Sequence, residues 1–266
     1  MNLGSSETPS ALTMVVARAS DHASGIDLTS LSDYLSDRTD LPIDLVYCTD
    51  YVEAIDALVK GKAQVGWLGP YAYLEAARKG IVEPFAVGLP KGKPTPNYHS
   101  IFITAPDSPI ETLSDVKNTR IAVSDHHSTS GYIVPKRELM DVGIHLENDL
   151  EFAQVIAAKD HDEAIRQVLE GKADVAPVSS VNLHEQISKG RLKEDSFKVV
   201  HRSPDIPGAP LVYLAALPAE IKTRIKDLVL DAHNHIDVGG YGGAMTRYVD
   251  PVQSRTDYLA SYLRPQ

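Results

Sequence analysis

Short apolar runs alternate with helix-length amphipathic stretches along almost the whole chain, and this alternation leaves few folds open. Strand-like runs are read at Leu12–Arg18, Ile43–Tyr47, Val65–Leu68, Phe85–Leu89, Ser100–Thr104, Ile121–Ser124, Phe152–Val155, Val175–Pro177, Phe197–His201 and Leu211–Ala216. Between them the spacing predicts helices at Leu28–Ser36, Val52–Gly61, Pro70–Gly80, Ser130–Asp141, Asp162–Gly171, Val181–Gly190 and Ala219–Ile236. Gly61, Gly80, Gly143, Gly171 and Gly190 fall where helices should stop, and Pro70 where one should start. Such alternation implies an α/β chain of parallel or mixed sheets with helices on both faces.

One pattern occurs twice. The helix at Val52–Leu58 leads into "GKAQVGWLGP", and the helix at Asp162–Leu169 leads into "GKADVAPVSS". Each is a helix, a Gly-Lys-Ala turn, a short buried strand and then small or turn residues before another helix. Two lobes built on one plan would give this echo; chance likeness between β/α units would too. A chain of 266 residues allows one large domain or two lobes of roughly 100–150 residues each.

Composition narrows the function. A formal net charge of −10 argues against nucleic acid and anionic membrane surfaces, which need a basic face. It says little about a small anion, because local dipoles in a pocket can oppose the global field. The single cysteine, Cys48, permits no internal disulfide or thiolate metal site, and its place after Ile43–Tyr47 suits a buried, inert thiol. No run approaches the roughly 18 apolar residues of a membrane span. No signal peptide is visible, and the polar segment Met1–Ser10 reads as the end of a leader or a cloning remnant. The motifs GxGxxG, GxxxxGK[ST] and GxSxG are all absent.

The strongest local signal is Ser128-Thr129-Ser130-Gly131-Tyr132, placed after a strand and at the start of a helix. Consecutive hydroxyls and a glycine there gather O–H and N–H donors around one point, at the positive end of the helix dipole. A plain N-cap needs only one such hydroxyl; the run is the composition of an anion site that uses no lysine or arginine. Trp67-Leu68-Gly69-Pro70-Tyr71 also leads from a strand into a helix. Trp67 and Tyr71 could wall a pocket, or Trp67 could simply anchor the core. Asp125-His126-His127 and His161-Asp162 could each begin a metal site, but the further spaced carboxylates and histidines that metal catalysis needs are missing. His233 and His235, two apart in the last helix, face different sides.

At these residues the chain resembles the phosphonate-, phosphite- and hypophosphite-binding proteins of ABC importers. The shared stretches are "GKAQVGWLGPYAYLEA", "YHSIFIT", "TLSDVKNTRIAVSD", "STSGYIVP", "HDEAIRQVLEGKADVA" and "SPDIPGAP". The resemblance implies a two-lobed Venus-flytrap protein, each lobe a mixed sheet flanked by helices, with two crossovers. One lobe would comprise 1–102 plus 209–266, the other 103–208. It implies a periplasmic or lipid-tethered, monomeric binding protein without cofactor or metal, which delivers its ligand to a membrane permease and is not an enzyme. Ser128, Thr129 and Ser130 would hold the oxyanion, Tyr98 would reach it from the hinge, Tyr51 from the first lobe, and His161 would donate a further hydrogen bond. Asp205 would face the ligand near the second crossover.

Relatives that take an aminoalkylphosphonate present a carboxylate shortly after the strand equivalent to Ala173–Pro177; here Val178-Ser179-Ser180-Val181 offers none. An ammonium would lose a charge-assisted hydrogen bond of about 1.5–3 kcal/mol. An aromatic wall of Trp67, Tyr71 or Tyr98 would reject a fourth oxygen, disfavouring phosphate. A carboxylate at Asp205 facing the anion would require a P–OH proton, which favours phosphite over hypophosphite. The rival from another class is an enzyme on a similar bilobed fold acting on a phosphoester, against which stands the lack of a nucleophile–base–orienter set. A ligand-sensing domain would need another chain to bind DNA.

Overall fold

The computed structural model describes residues 9–17, 26–147, 152–240 and 245–251. Arg18, and all but the last two residues of Met1–Ser10, lie outside them. The first half runs β1 (Leu12–Val16), α1 (Thr29–Thr39), β2 (Ile43–Tyr47), α2 (Tyr51–Val59), β3 (Val65–Trp67), α3 (Pro70–Arg78) and β4 (Val82–Pro90). The second runs β5 (Ser100–Thr104), β6 (Arg120–Val123), α4 (Val134–Asp141), β7 (Gln154–Ala157), α5 (His161–Leu169), β8 (Val175–Ser179), α6 (Ser180–Ser188) and β9 (Lys198–Arg202). The chain then returns through β10 (Pro210–Leu214), α7 (Ala219–Asp231) and β11 (Met245–Val249).

Two mixed sheets result. One has six strands in the order β11-β4-β10-β3-β1-β2, the other five in the order β7-β6-β8-β5-β9. In each, parallel strands joined through helices form one side and antiparallel strands close the other. The second sheet is buried on both faces. Ile101, Ile103, Ala122, Ala176 and Val178 pack with α5 and α6, while the alternate residues Phe102, Ile121, Val123 and Val175 pack with Leu139 of α4 on the other side. That is the strand period of two, applied to two cores.

The sheets are joined by two crossings, residues 91–99 and 203–209. They run side by side: Tyr98 N–H donates to Ile206 O at 2.9 Å and Ile206 N–H returns the bond to Tyr98 O at 2.7 Å. The expected lobe division at 102/103 falls inside β5, and all five residues of β5 pair within the second sheet with β8. The boundary between the two sheets therefore precedes Ser100 rather than cutting the strand. A strand that exchanges its ladder bonds on both sides cannot be shared between two moving bodies.

Three other expectations shift. The helix foreseen from Ser130 opens as a wide π-type turn, Thr129–Ile133, before α4. Pro135 cannot donate to the carbonyl four residues back at Gly131, and its ring crowds that carbonyl, so a wider turn fits. The last helix ends at Asp231, with His233 in a following 3₁₀ turn. Finally, β11 had no expected strand: its MTRYV stretch alternates weakly, and only edge pairing with β4 organises it.

Candidate functional site

Four helices begin at one buried pocket. Tyr51 is the first residue of α2, Pro70 of α3, Thr129 of the π-type turn that continues into α4, and His161 of α5; all four line it. The first two come from one sheet's helices and the last two from the other's. Each helix start presents N–H groups without intrahelical acceptors and a partial positive charge. Trp67, Gly69, Tyr98, Ser128, Ser130 and Ala209 complete the lining, which contains no lysine or arginine. On a chain of net charge −10, any attraction of this pocket for an anion has to come from dipoles and hydroxyls.

The local sequence explains why these ends are sharp. Asp50 caps α2 through Oδ1, which accepts from Glu53 N at 2.8 Å, and Asp160 caps α5 the same way from Glu163 N at 2.8 Å. Ser128 caps the π-type turn, its Oγ accepting from Gly131 N at 3.1 Å. Gly131 has no alternative: a Cβ there would lie 1.7 Å from Ser124 Oγ and 2.9 Å from His161 Cε1. Gly69 likewise lets the Tyr51 ring pack against the backbone, since a Cβ would meet Tyr51 Cε1 at 2.9 Å.

His161 shows how a neutral imidazole is held as a donor. Its Nδ1 accepts from Ser179 N–H at 3.3 Å, which places the proton on Nε2. Nε2 lies 3.4 Å from both Ser128 Oγ and Ser130 Oγ. The ring is 2% exposed, and burial pushes its pKa down to about 4, so it is uncharged at neutral pH. Tyr51 and Tyr98 are also buried, which pushes both phenols well up and keeps them protonated donors. Their hydroxyls hydrogen-bond the anion run, Tyr51 with Ser128, and Tyr98 with Ser130 and Thr129.

The two sides already touch. Tyr71 N–H, at the start of α3, donates to Thr129 Oγ1 at 3.0 Å. At the rim, Glu75 of α3 lies 3.5 Å from His127 Nε2, while Asp125 holds Nδ1 of the same ring at 3.3 Å.

The structure thus brings together Tyr51, Trp67, Tyr98, Ser128, Thr129, Ser130 and His161. It leaves out two residues. The Tyr71 ring does not line the pocket; only its backbone N–H participates. Asp205 turns away: its side chain is 64% exposed, accepting from Asn97 Nδ2 at 3.1 Å and lying 3.5 Å from His99 Nε2. His99 is itself fixed on the crossing by Nδ1–H donating to Ser203 O at 2.9 Å. The sequence argument for phosphite that rested on a carboxylate facing the ligand therefore falls. Sequence reasoning also missed Ser100, whose Oγ donates to Ser130 O at 2.7 Å and braces the loop from β5. A buried hydroxyl opening a strand carries no signal of its own. Among the described residues, no cluster of three or more histidine, cysteine, aspartate or glutamate side chains could hold a metal, and no helix is long and apolar enough to cross a membrane. Cys48 is buried, and its thiol is pushed up to about 11, chiefly by burial.

The chain is similar to known proteins in sequence and fold. The family described as the periplasmic phosphonate substrate-binding protein of ABC transporters matches residues 15–246. A phosphonates-binding periplasmic protein of Escherichia coli is 26% identical over 196 residues, 71% of this chain and 56% of that protein. A phosphate-import protein, PhnD, of Mycolicibacterium smegmatis is 25% identical over 201 residues, 73% of this chain and 63% of that protein. The chain thus matches less than two thirds of the length of either relative. PhnD1 from Prochlorococcus marinus, solved in complex with methylphosphonate, superposes with a TM-score of 0.77 over 96% of this chain and 97% of its own, at 15% identity, a likeness of fold.

Proposed function

The chain belongs to the family of periplasmic substrate-binding proteins of phosphonate ABC transporters, and from that premise we propose that it captures a small phosphorus oxyanion between its lobes and delivers it to a membrane permease. The observation that carries this reading is the convergence of four helix starts on one buried pocket furnished with hydroxyl and imidazole donors and no cation. The family is one of transport binding components, not enzymes. It works outside the cytoplasmic membrane, in the periplasm or tethered to the surface, and as a monomer.

The mechanism is bind, close and deliver. Ser128, Thr129, Ser130 and His161 belong to one lobe and hold the oxygens from that side. Tyr51 belongs to the other and reaches the same anion only when the lobes approach. Ligand affinity is therefore greater for the closed form, and that difference drives closure about the crossings 91–99 and 203–209.

Selectivity follows from what each wall can offer. Two or three oxygens meet donors. The remaining substituent meets the rings of Trp67 and Tyr98, where an oxygen would lose hydrogen bonding worth about 1–3 kcal/mol. A P–H or P–C group suits that side, so phosphite, hypophosphite and small phosphonates are favoured over phosphate. With Asp205 paired away from the pocket, phosphite has no special claim over methylphosphonate. The test is calorimetric titration with phosphite, hypophosphite, methylphosphonate and phosphate. Binding of the first three at least tenfold tighter than phosphate is expected; absence of heat with all four would overturn the reading.

A further inference from the structure

A second cavity adjoins the anion pocket. Trp67, Tyr98 and Ala209 wall both. Beyond them this annex is closed by Gly88 and Pro90 of β4, Met245 and Tyr248 of β11, and Val181 of α6. It is thus assembled from both lobes and the crossings, like the pocket itself, and exists as an enclosure only when the lobes are together.

Its chemistry is the opposite of its neighbour's. None of its lining residues is charged. The one side chain that brings a polar group from β11, Tyr248, keeps a buried hydroxyl with no hydrogen-bond partner among the described residues. A water molecule needs two to four polar partners to be stable in such a place, and an apolar void is better filled by an apolar group. Inorganic anions cannot fill it: phosphate, phosphite and hypophosphite have nothing that extends beyond the tetrahedron held by the hydroxyls. A phosphonate has, because its P–C bond directs the substituent away from the oxygens and their donors.

We propose that the annex receives the carbon substituent of the ligand, and that the preferred ligand is an uncharged short-chain alkylphosphonate, larger than methylphosphonate. This rests on the oxyanion reading above and names the class of anion within it. An ammonium at the end of the chain would enter a space where the described lining offers no carboxylate and only the Tyr248 hydroxyl as a side-chain acceptor without a partner, so 2-aminoethylphosphonate, which matches propylphosphonate in heavy atoms, is a poor fit.

The experiment is a calorimetric series on the full chain with methyl-, ethyl-, propyl- and 2-aminoethylphosphonate. Each methylene added into an apolar cavity gains about fourfold in affinity, so propyl- should exceed methylphosphonate by about fifteenfold, and 2-aminoethylphosphonate should fall below propylphosphonate. Val181→Phe, at a residue that lines the annex but not the anion pocket, should abolish the gain with chain length while methylphosphonate still binds. Affinity that is flat or falls from methyl to propyl in the wild type overturns the proposal while leaving the oxyanion reading in place. Failure of every phosphonate to bind also overturns the proposal, and the titrations with phosphite and hypophosphite then decide the oxyanion reading by themselves.

Discussion

The helix starts at Tyr51 and His161 face one pocket from opposite lobes; they are built alike and deliver different chemistry. Both carry the same cap, an aspartate accepting from a glutamate N–H at 2.8 Å, and both glutamates reach back to a backbone N–H, Thr49 at 2.6 Å and Lys159 at 3.1 Å. Both helices stop at a left-handed glycine, Gly61 with φ 68° and Gly171 with φ 67°, before a Lys-Ala turn and a buried strand. The first helical residue is a phenol in one case and an imidazole in the other. The strands end differently: β3 stops at Trp67 and leaves through Leu68-Gly69, whereas β8 runs on through Pro177-Val178-Ser179 straight into α6. The repeated frame supplies the same electrostatic field from both sides. On the proposed reading the side chains set on it divide the work: Ser128, Thr129, Ser130 and His161 of the second lobe hold oxygens, while the first lobe adds one phenol, Tyr51, and the ring of Trp67 for the substituent that is not oxygen.

The largest expected effect breaks the equivalence of Tyr51 and His161 by pH. The buried His161 titrates near 4 against 6.5 when unfolded. The unfolded chain then binds a proton between those values that the folded chain refuses. Stability from this site is therefore complete above pH 6.5 and is lost as pH falls towards 4, by about 3 kcal/mol. His161→Gln, which keeps a donor but cannot titrate, should show a denaturation midpoint that no longer falls in that window relative to wild type. Tyr51→Phe, at the matching position, should leave the acid limb unchanged. Parallel acid limbs for wild type and His161→Gln would refute the assignment of a buried neutral imidazole.

Next in size is the second lobe's grip. Thr129→Ala and Ser130→Ala each remove a hydrogen bond to a charged ligand, worth about 1.5–3 kcal/mol, so affinity should drop by about tenfold to a hundredfold. The loss should be similar for phosphite, methylphosphonate and phosphate, because all present oxygens to that side. Trp67→Ala on the first lobe should act differently. It should weaken the favoured ligands modestly while raising phosphate towards them, eroding discrimination by about tenfold. Competition titrations decide this: if Trp67→Ala and Thr129→Ala change every ligand by one common factor, the division of labour is wrong.

How much of this was legible in the sequence depends on the kind of signal. Gly61 and Gly171 punctuate helices by a backbone conformation that few other residues adopt, so the repeated plan could be read directly. Ser128-Thr129-Ser130-Gly131 announced a donor cluster by local chemistry alone. The direction of Asp205 could not be read, because it depends on Asn97 and His99 brought in from the other crossing. The same holds for Ser100, whose hydroxyl matters only because β5 runs beneath Ser130. Nor does local sequence reveal that four helix starts meet, since that is a property of two sheets placed together.

The smallest effect concerns the rim where the lobes meet. His127 lies between Glu75 of the first lobe and Asp125 of the second. The Asp125 hydrogen bond, then the charges of Glu75, Asp125 and Asp50, raise its pKa above 6.5 in spite of partial burial. A raised histidine value stabilises the closed arrangement below the unfolded pKa of 6.5. That contribution is lost as pH rises through the higher folded value. Asp125 and His127 share one segment, so the Glu75 contact is the part that bridges the lobes. Glu75→Gln removes it and leaves the Asp125 bond in place. The ring and the carboxylate are each about 30% exposed, so solvent and salt screen the pair and about 0.5 kcal/mol is the scale. Wild type should therefore exceed Glu75→Gln by about 1–2 °C in Tm at pH 6 in low salt, with the difference vanishing by pH 8.5 or in 0.5 M sodium chloride. A difference that persists at pH 8.5 would mean that Glu75 stabilises the interface without the imidazolium, through packing or through a neutral hydrogen bond to His127.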